Sequence, residues 1–183
     1  MESASGDYKT AYIINGVWNE QLSDLVDGSS LFYFAADGTG YGLTAFNADL
    51  SSLTNGTSMF ASCYDLTAFN SNLNSRTNGY YMFYCGRGLS NFNVKLSSLT
   101  NGNQMFSNCE NLTTFNSDLS SLTNGYKMFN GCYNLTAFNA DLSSLTNGSY
   151  MFASCKLDTA SVQNIADTIK DVESLTNVTF VDG

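Results

Sequence analysis

The chain repeats itself every 23 residues. From Leu43 to Cys155 it aligns with itself without gaps. A leading Leu falls at 43, 66, 89, 112 and 135, and Phe at 46, 69, 92, 115 and 138. Asn-Gly recurs at 55–56, 78–79, 101–102, 124–125 and 147–148, and Met-Phe at 59–60, 82–83, 105–106, 128–129 and 151–152. A unit this short cannot bury its apolar face alone, so a fixed period of this length implies coils stacked on one another, with like side chains in files.

Within one unit the letters divide the coil. Leu43-x-x-Phe46-x-Ala48 suits a short strand, with Phe46 and Ala48 facing inward and Ala45 and Asn47 outward. Leu50 and Leu53, three apart, suit a single helical turn. Asn55-Gly56 predicts its stop, with Gly supplying a left-handed residue. Thr57 to Cys63 is expected to form a second short helix that turns Met59, Phe60 and Cys63 inward. The fold class is α/β: a solenoid with a parallel β-sheet on one side and short helical turns on the other.

Exposed ends of such a stack need lids. Residues 1–42 are expected to form an N-terminal cap containing a worn repeat, in which Trp18, Leu22, Leu25, Gly28, Leu31 and Phe32 keep the spacing of Phe46 through Phe60. A five-residue insertion within YFAADGTGYG separates it from the five full repeats at 43–156. Residues 157–183 are expected to close the other end. Val162, Ile165, Ile169 and Val172 fall on one face of a helix over 159–172, and Asn177 to Val181 reads as a last strand.

Of the 183 residues, 43% are hydrophobic and 14% aromatic, which supports a packed core. Lys+Arg number 7 against 16 Asp+Glu, a net charge of −9 with no basic cluster, so nucleic acid is not an expected partner. The longest apolar run, LFYFAA at 31–36, is too short to cross a bilayer. The first seven residues have neither the basic start nor the apolar middle of an export signal, and VTFVDG ends abruptly. The chain is expected either to lack export by this route or to be a piece of a longer protein.

The phrase Phe60-x-x-Cys63-x-x-Leu66-x-x-Phe69, which recurs in phase at Phe106 and Phe129, resembles the Treponema-type, or BspA-like, leucine-rich repeat. The likeness covers residues 43–156. It departs from the family in lacking a Pro after the strand and in shifting the later Leu pair. The resemblance implies a curved leucine-rich-repeat solenoid and a non-catalytic binding or adhesion role on a bacterial surface or in a secreted protein, recognising a protein or glycan of a host or another cell. A phage virion or host-recognition component is the alternative it implies, and a scaffold segment of a larger protein is a third. The family carries no shared catalytic residues.

Chemistry-bearing residues are few. With no His there is no Ser-His or Cys-His pair, and enzymatic activity is not expected. No cofactor or metal is expected either. The cysteines at 63, 85, 109, 132 and 155 come one per coil and read as small buried hydrophobes, since parallel side chains in a column make poor disulfide geometry. Cys85 arrives one residue early, which leaves Gly86 at the core position, and Arg76 replaces an inward Leu. That unit reads as a local defect or as a bend with a contact site at Arg76 and Arg87. Asp49, Asn72, Lys95, Asp118 and Asp141 form a column read as turn caps, with a calcium site at Asp118 and Asp141 the weaker alternative. Gly38, Gly40 and Gly42 read as a loop, because no Lys-Ser/Thr follows them to make a phosphate cradle.

Two surfaces are candidate binding sites. Asn47, Asn70, Asn93, Asn116 and Asn139 should face outward, either as a hydrogen-bonded ladder between coils or as amide contacts to a ligand, with Asn70, Asn93 and Asn116 central. The residues after Asn-Gly vary: Thr57-Ser58, Tyr80-Tyr81, Asn103-Gln104, Tyr126-Lys127 and Ser149-Tyr150. Their bias toward Tyr, Ser and Asn is that of binding surfaces, where Tyr gives a large, stiff, amphipathic contact. Tyr80, Tyr81, Tyr126, Lys127 and Tyr150 are therefore expected to form a recognition stripe, unless the tyrosines serve to pack coil against coil.

Overall fold

The computed structural model describes residues 13–14, 17–18, 22–33, 42–75 and 77–169. Each full repeat contributes a strand of two residues: β3 (Ala45–Phe46), β4 (Ala68–Phe69), β5 (Asn91–Phe92), β6 (Thr114–Phe115) and β7 (Ala137–Phe138). Ahead of them lie β1 (Ile13–Ile14) and β2 (Val17–Trp18). β1 and β2 pair antiparallel, and within β3-β4 and β5-β6-β7 the pairing is parallel with every residue against its counterpart 23 positions on, Ala45 on Ala68 and Phe115 on Phe138. One sheet runs β1-β2-β3-β4 and a second β5-β6-β7, so pairing stops between β4 and β5.

Two files of phenylalanine fill the interior. Phe46, Phe69, Phe92, Phe115 and Phe138 stack nearly parallel at 5.7 to 6.1 Å. Phe32, Phe60, Phe83, Phe106, Phe129 and Phe152 stack at 5.2 to 5.7 Å. The files meet edge to face, as Phe46 meets Phe60 at 4.7 Å and 67°. This geometry sets each ring's positive edge against its neighbour's negative face. Leucines and methionines complete a buried core continuous across all coils.

Opposite the strand in each coil, the wall expected to be a second short helix winds through overlapping tight turns instead. Met59, Ala61 and Cys63 donate to the carbonyls three residues back, while Ser58, Phe60 and Ser62 donate to Tyr80, Met82 and Tyr84 of the next coil. Alternate amides thus close a turn or join two coils. Every fourth residue is left-handed, Ser58 at φ 53 and Ser62 at φ 61, and the same holds at Tyr81 and Cys85 and at Gln104 and Asn108. An α-helix cannot contain such residues. The inward spacing of Met59, Phe60 and Cys63 fits both arrangements and does not distinguish them. Leu50 and Leu53 do close a single turn, with the Leu53 amide on the Leu50 carbonyl at 3.0 Å.

The Asn-Gly corner also works differently from a left-handed stop, because the glycines there keep negative φ. A Cβ on Gly79 would lie 2.7 Å from Met105 Sδ, and one on Gly102 would lie 2.8 Å from Met128 Sδ. Glycine is required because the methionine of the following coil packs onto its Cα. The asparagines form the coil-to-coil ladder: Asn101 Nδ2 donates to Asn78 Oδ1 at 3.1 Å, Asn124 to Asn101 at 3.1 Å and Asn147 to Asn124 at 3.2 Å.

At the N-terminal side Val17 pairs with Ala45, and Trp18 packs edge-on against Phe32 at 4.8 Å, taking the place a strand Phe holds elsewhere. At the other side lies helix α1 (Thr159–Thr168), capped by Asp158, whose carboxylate accepts the Ser161 amide at 2.8 Å. Ser161 Oγ accepts the Phe138 amide and donates to the Thr136 carbonyl, and Asn164 donates to the Ala140 carbonyl. These side chains satisfy the free edge of β7, which would otherwise be open to another strand. Ile165 and Ile169 are buried beneath the helix. Val172, the strand expected over 177–181, Arg76, Gly38 and Gly40 lie outside the described residues.

Candidate functional site

The tyrosine stripe lies on the wall of turns and falls into two groups. In the first, Tyr80 and Tyr81 meet edge to face at 4.4 Å, Tyr84 lies 5.0 Å from Tyr81, and Gln104 Nε2 donates to the Tyr81 hydroxyl. In the second, the Lys127 ammonium sits 5.1 Å from the ring of Tyr126 and 5.5 Å from that of Tyr150. A cation over two ring faces is held by their quadrupoles. Tyr80 and Tyr150 remain 37% and 39% exposed, enough to present a ring face outward. Burial raises the Tyr81 hydroxyl above its usual range, with Tyr80 adding to the effect, and the neighbouring Cys85 raises Tyr84. Both hydroxyls are therefore neutral donors and acceptors near neutral pH.

The backbone beneath this stripe is costly for the side chains it carries. Ser58, Tyr81, Gln104, Lys127 and Tyr150 all have φ between 52° and 59°. Glycine or asparagine would relax there, and a bulky residue costs about 1 kcal/mol or more. The second left-handed column, Ser62, Cys85, Asn108, Gly131 and Ser154, holds small residues.

On the sheet side, Asn47, Asn70, Asn93, Asn116 and Asn139 are exposed, as the alternation required. Among the described residues one amide-to-amide bond joins this column, from Asn70 Nδ2 to Asn47 Oδ1 at 2.7 Å, so the continuous ladder belongs to the Asn-Gly corner. Asn70 and Asn93 line a cleft of about 570 Å³ where the sheet divides, whereas Asn116 stands on the unbroken part, outside that lining. No tyrosine lines the cleft.

The division has a readable cause. The inward position two beyond the strand Phe is Ala48, Ser71, Val94, Ser117 and Ala140. The four small residues are buried, and Ser71 Oγ donates to the Ala48 carbonyl at 2.7 Å. Val94 is too large for that slot and stands partly out. No backbone hydrogen bond joins 67–70 to 90–93 among the described residues, although the wall of turns continues unbroken between the same two coils, Phe83 to Met105 at 2.9 Å. At the Asn-Gly corner the interruption falls one coil earlier: Asn78 reaches Thr57 Oγ1 in place of Asn55. The second coil (66–88) is therefore skewed, following the first along its strand and the third along its corner.

The remaining candidates have structural positions. Asp49, Asn72, Asp118 and Asp141 each accept the amide two residues on, at 2.8 to 2.9 Å, as turn caps do. That bond holds the Asp118 carboxyl below its usual range. Cys63, Cys109, Cys132 and Cys155 are buried thiols, each directed at the carbonyl of a core Phe in the preceding coil. Cys85 is half-exposed and Gly86 buried. Arg87 stacks 5.3 Å from the Tyr64 ring and pairs with Glu110 at 3.1 Å. No helix among the described residues is long and apolar enough to cross a membrane.

A repeating coil with one short parallel strand, an asparagine corner and a turn wall around a leucine-phenylalanine core defines a leucine-rich-repeat solenoid. The model of the BspA type leucine rich repeat region matches six copies across residues 54–180, and the chain belongs to that family. Its repeats build protein-binding, adhesion-type modules, generally non-catalytic and typically associated with surfaces. Neither a curated protein nor a solved structure matches the chain.

Proposed function

We propose that the chain is a non-catalytic recognition module of a bacterial surface or secreted protein, and that the stripe of Tyr80, Tyr81, Tyr126, Lys127 and Tyr150 contacts a protein partner. The observation that carries this reading is the pair of left-handed columns. One holds the small residues such a backbone favours, and the other carries Tyr81, Gln104, Lys127 and Tyr150 at a conformational cost. Retaining bulky aromatic and cationic side chains there is consistent with selection for contact. Rigid tyrosines flanking a lysine suit a protein surface offering carboxylates and backbone carbonyls.

The test is an array of immobilised host matrix proteins and glycans probed with the chain and with a variant replacing all four tyrosines by Ser. The expected result is a protein ligand bound by the parent and lost in the variant, with the melting temperature held or raised. Retained binding, or a variant that loses its fold, would assign these tyrosines to packing between coils.

A further inference from the structure

The cleft between β4 and β5 is a second candidate site, independent of the tyrosine stripe. We propose that it binds a short saccharide carrying a single carboxylate, such as a uronic acid unit. At about 570 Å³ it falls within the roughly 300–1,000 Å³ of small-ligand clefts. Five asparagines line it, at 70, 72, 74, 91 and 93. The interrupted pairing also leaves strand amides on one wall and strand carbonyls on the other without coil-to-coil partners: the counterparts of the bonds from Thr67, Ala68 and Asn70 to the first coil are missing at Ser90, Asn91 and Asn93. Donors and acceptors thus face each other across a small area. Hydroxyl groups, which both give and accept, satisfy such a surface better than a group with one polarity. Phe69, at 7% the most exposed of its file, joins Ala68 and Val94 in an apolar patch suited to the C–H face of a sugar ring.

Charge narrows the class. Lys95 is the one ionisable residue in the lining, and it replaces the capping Asp or Asn found in the other four full repeats. It is exposed, and no carboxylate pairs with it among the described residues. The chain as a whole carries −9, which disfavours a polyanion, so one carboxylate against one ammonium is the fitting match.

The experiment titrates the chain calorimetrically with a trisaccharide ending in glucuronate, with the same trisaccharide reduced to glucose, and with a tripeptide bearing a free C-terminal carboxylate. The glucuronate form is expected to bind, and the neutral sugar and the peptide to bind at least tenfold more weakly. Lys95→Gln should remove the preference for the acidic sugar. Val94→Ser should restore the small column, protect the Asn91 and Asn93 amides from hydrogen exchange, hold or raise the melting temperature and abolish binding. Unchanged binding in Val94→Ser once those amides are protected would overturn the proposal, as would tighter binding of the peptide, equal binding of the neutral sugar, or no heat with the acidic trisaccharide at millimolar concentration. The tyrosine-to-Ser variant should bind the trisaccharide as the parent does, so the two sites fail or stand separately.

Discussion

The third to fifth coils and the second coil are written in nearly the same letters but stack differently. From Leu89 to Cys155 strand, corner and turn wall all join neighbour to neighbour, with the strand Phe, the Asn ladder and the buried Cys in unbroken files. The second coil keeps the Phe files and the turn wall, yet it loses the strand pairing on one side and the asparagine link on the other. The core therefore tolerates a skewed coil that the polar ladders do not. Apolar contact is non-directional and survives a small tilt, whereas hydrogen bonds fail steeply with angle.

The two regions should differ most in the core. Phe115→Ala, in the regular stretch, should cost about 3–5 kcal/mol in denaturant unfolding. Phe69→Ala should cost less, because the cleft already gives that ring partial access to water. Equal losses would mean the skew leaves the core unaffected.

A second pair probes the ladder. Asn124 Nδ2 donates to Asn101, and its Oδ1 accepts from both Asn147 and the Tyr126 amide. Asn124→Ala should cost about 1–3 kcal/mol by leaving half-buried partners unsatisfied. Asn55, which accepts the Thr57 amide but is not bonded to Asn78, should tolerate the same change more easily.

The smallest effect concerns thiols. Cys85 should react with a maleimide first, while the four buried cysteines wait for unfolding, as counted by mass spectrometry. Burial pushes Cys155 from near 9 up to about 12, and Cys132 well above its ordinary range. Between those values the unfolded chain releases protons that the fold retains, so stability should fall as pH rises through that window. Cys132→Ala should blunt the loss.

Much of this is legible in the amino-acid sequence. The period places Phe46, Phe69 and Phe92 in one file, sets the Asn47 column outward and turns the cysteines inward, which holds for four of the five and fails at half-exposed Cys85. Two local readings failed for a shared reason: they used neighbours in sequence where the decisive neighbour is one coil away. Gly79 serves Met105, and the left-handed Ser58 exists because its amide must reach Tyr80. Apolar spacing reports which side chains point inward and is silent on the sign of φ. Val94 was visible as the lone branched residue among Ala and Ser, but its weight depends on how tight that slot is, which stacking alone decides.

The turn wall has an electrical consequence. From Ser30 through Gly131 its coil-joining amides all send their hydrogens forward, to a carbonyl of the following coil. Peptide dipoles therefore add head to tail along the superhelix axis, as they do within an α-helix, but across separate turns of chain. The wall is carbonyl-negative toward the first coils and amide-positive toward the last, a polarity that every further repeat would lengthen whatever side chains it carried.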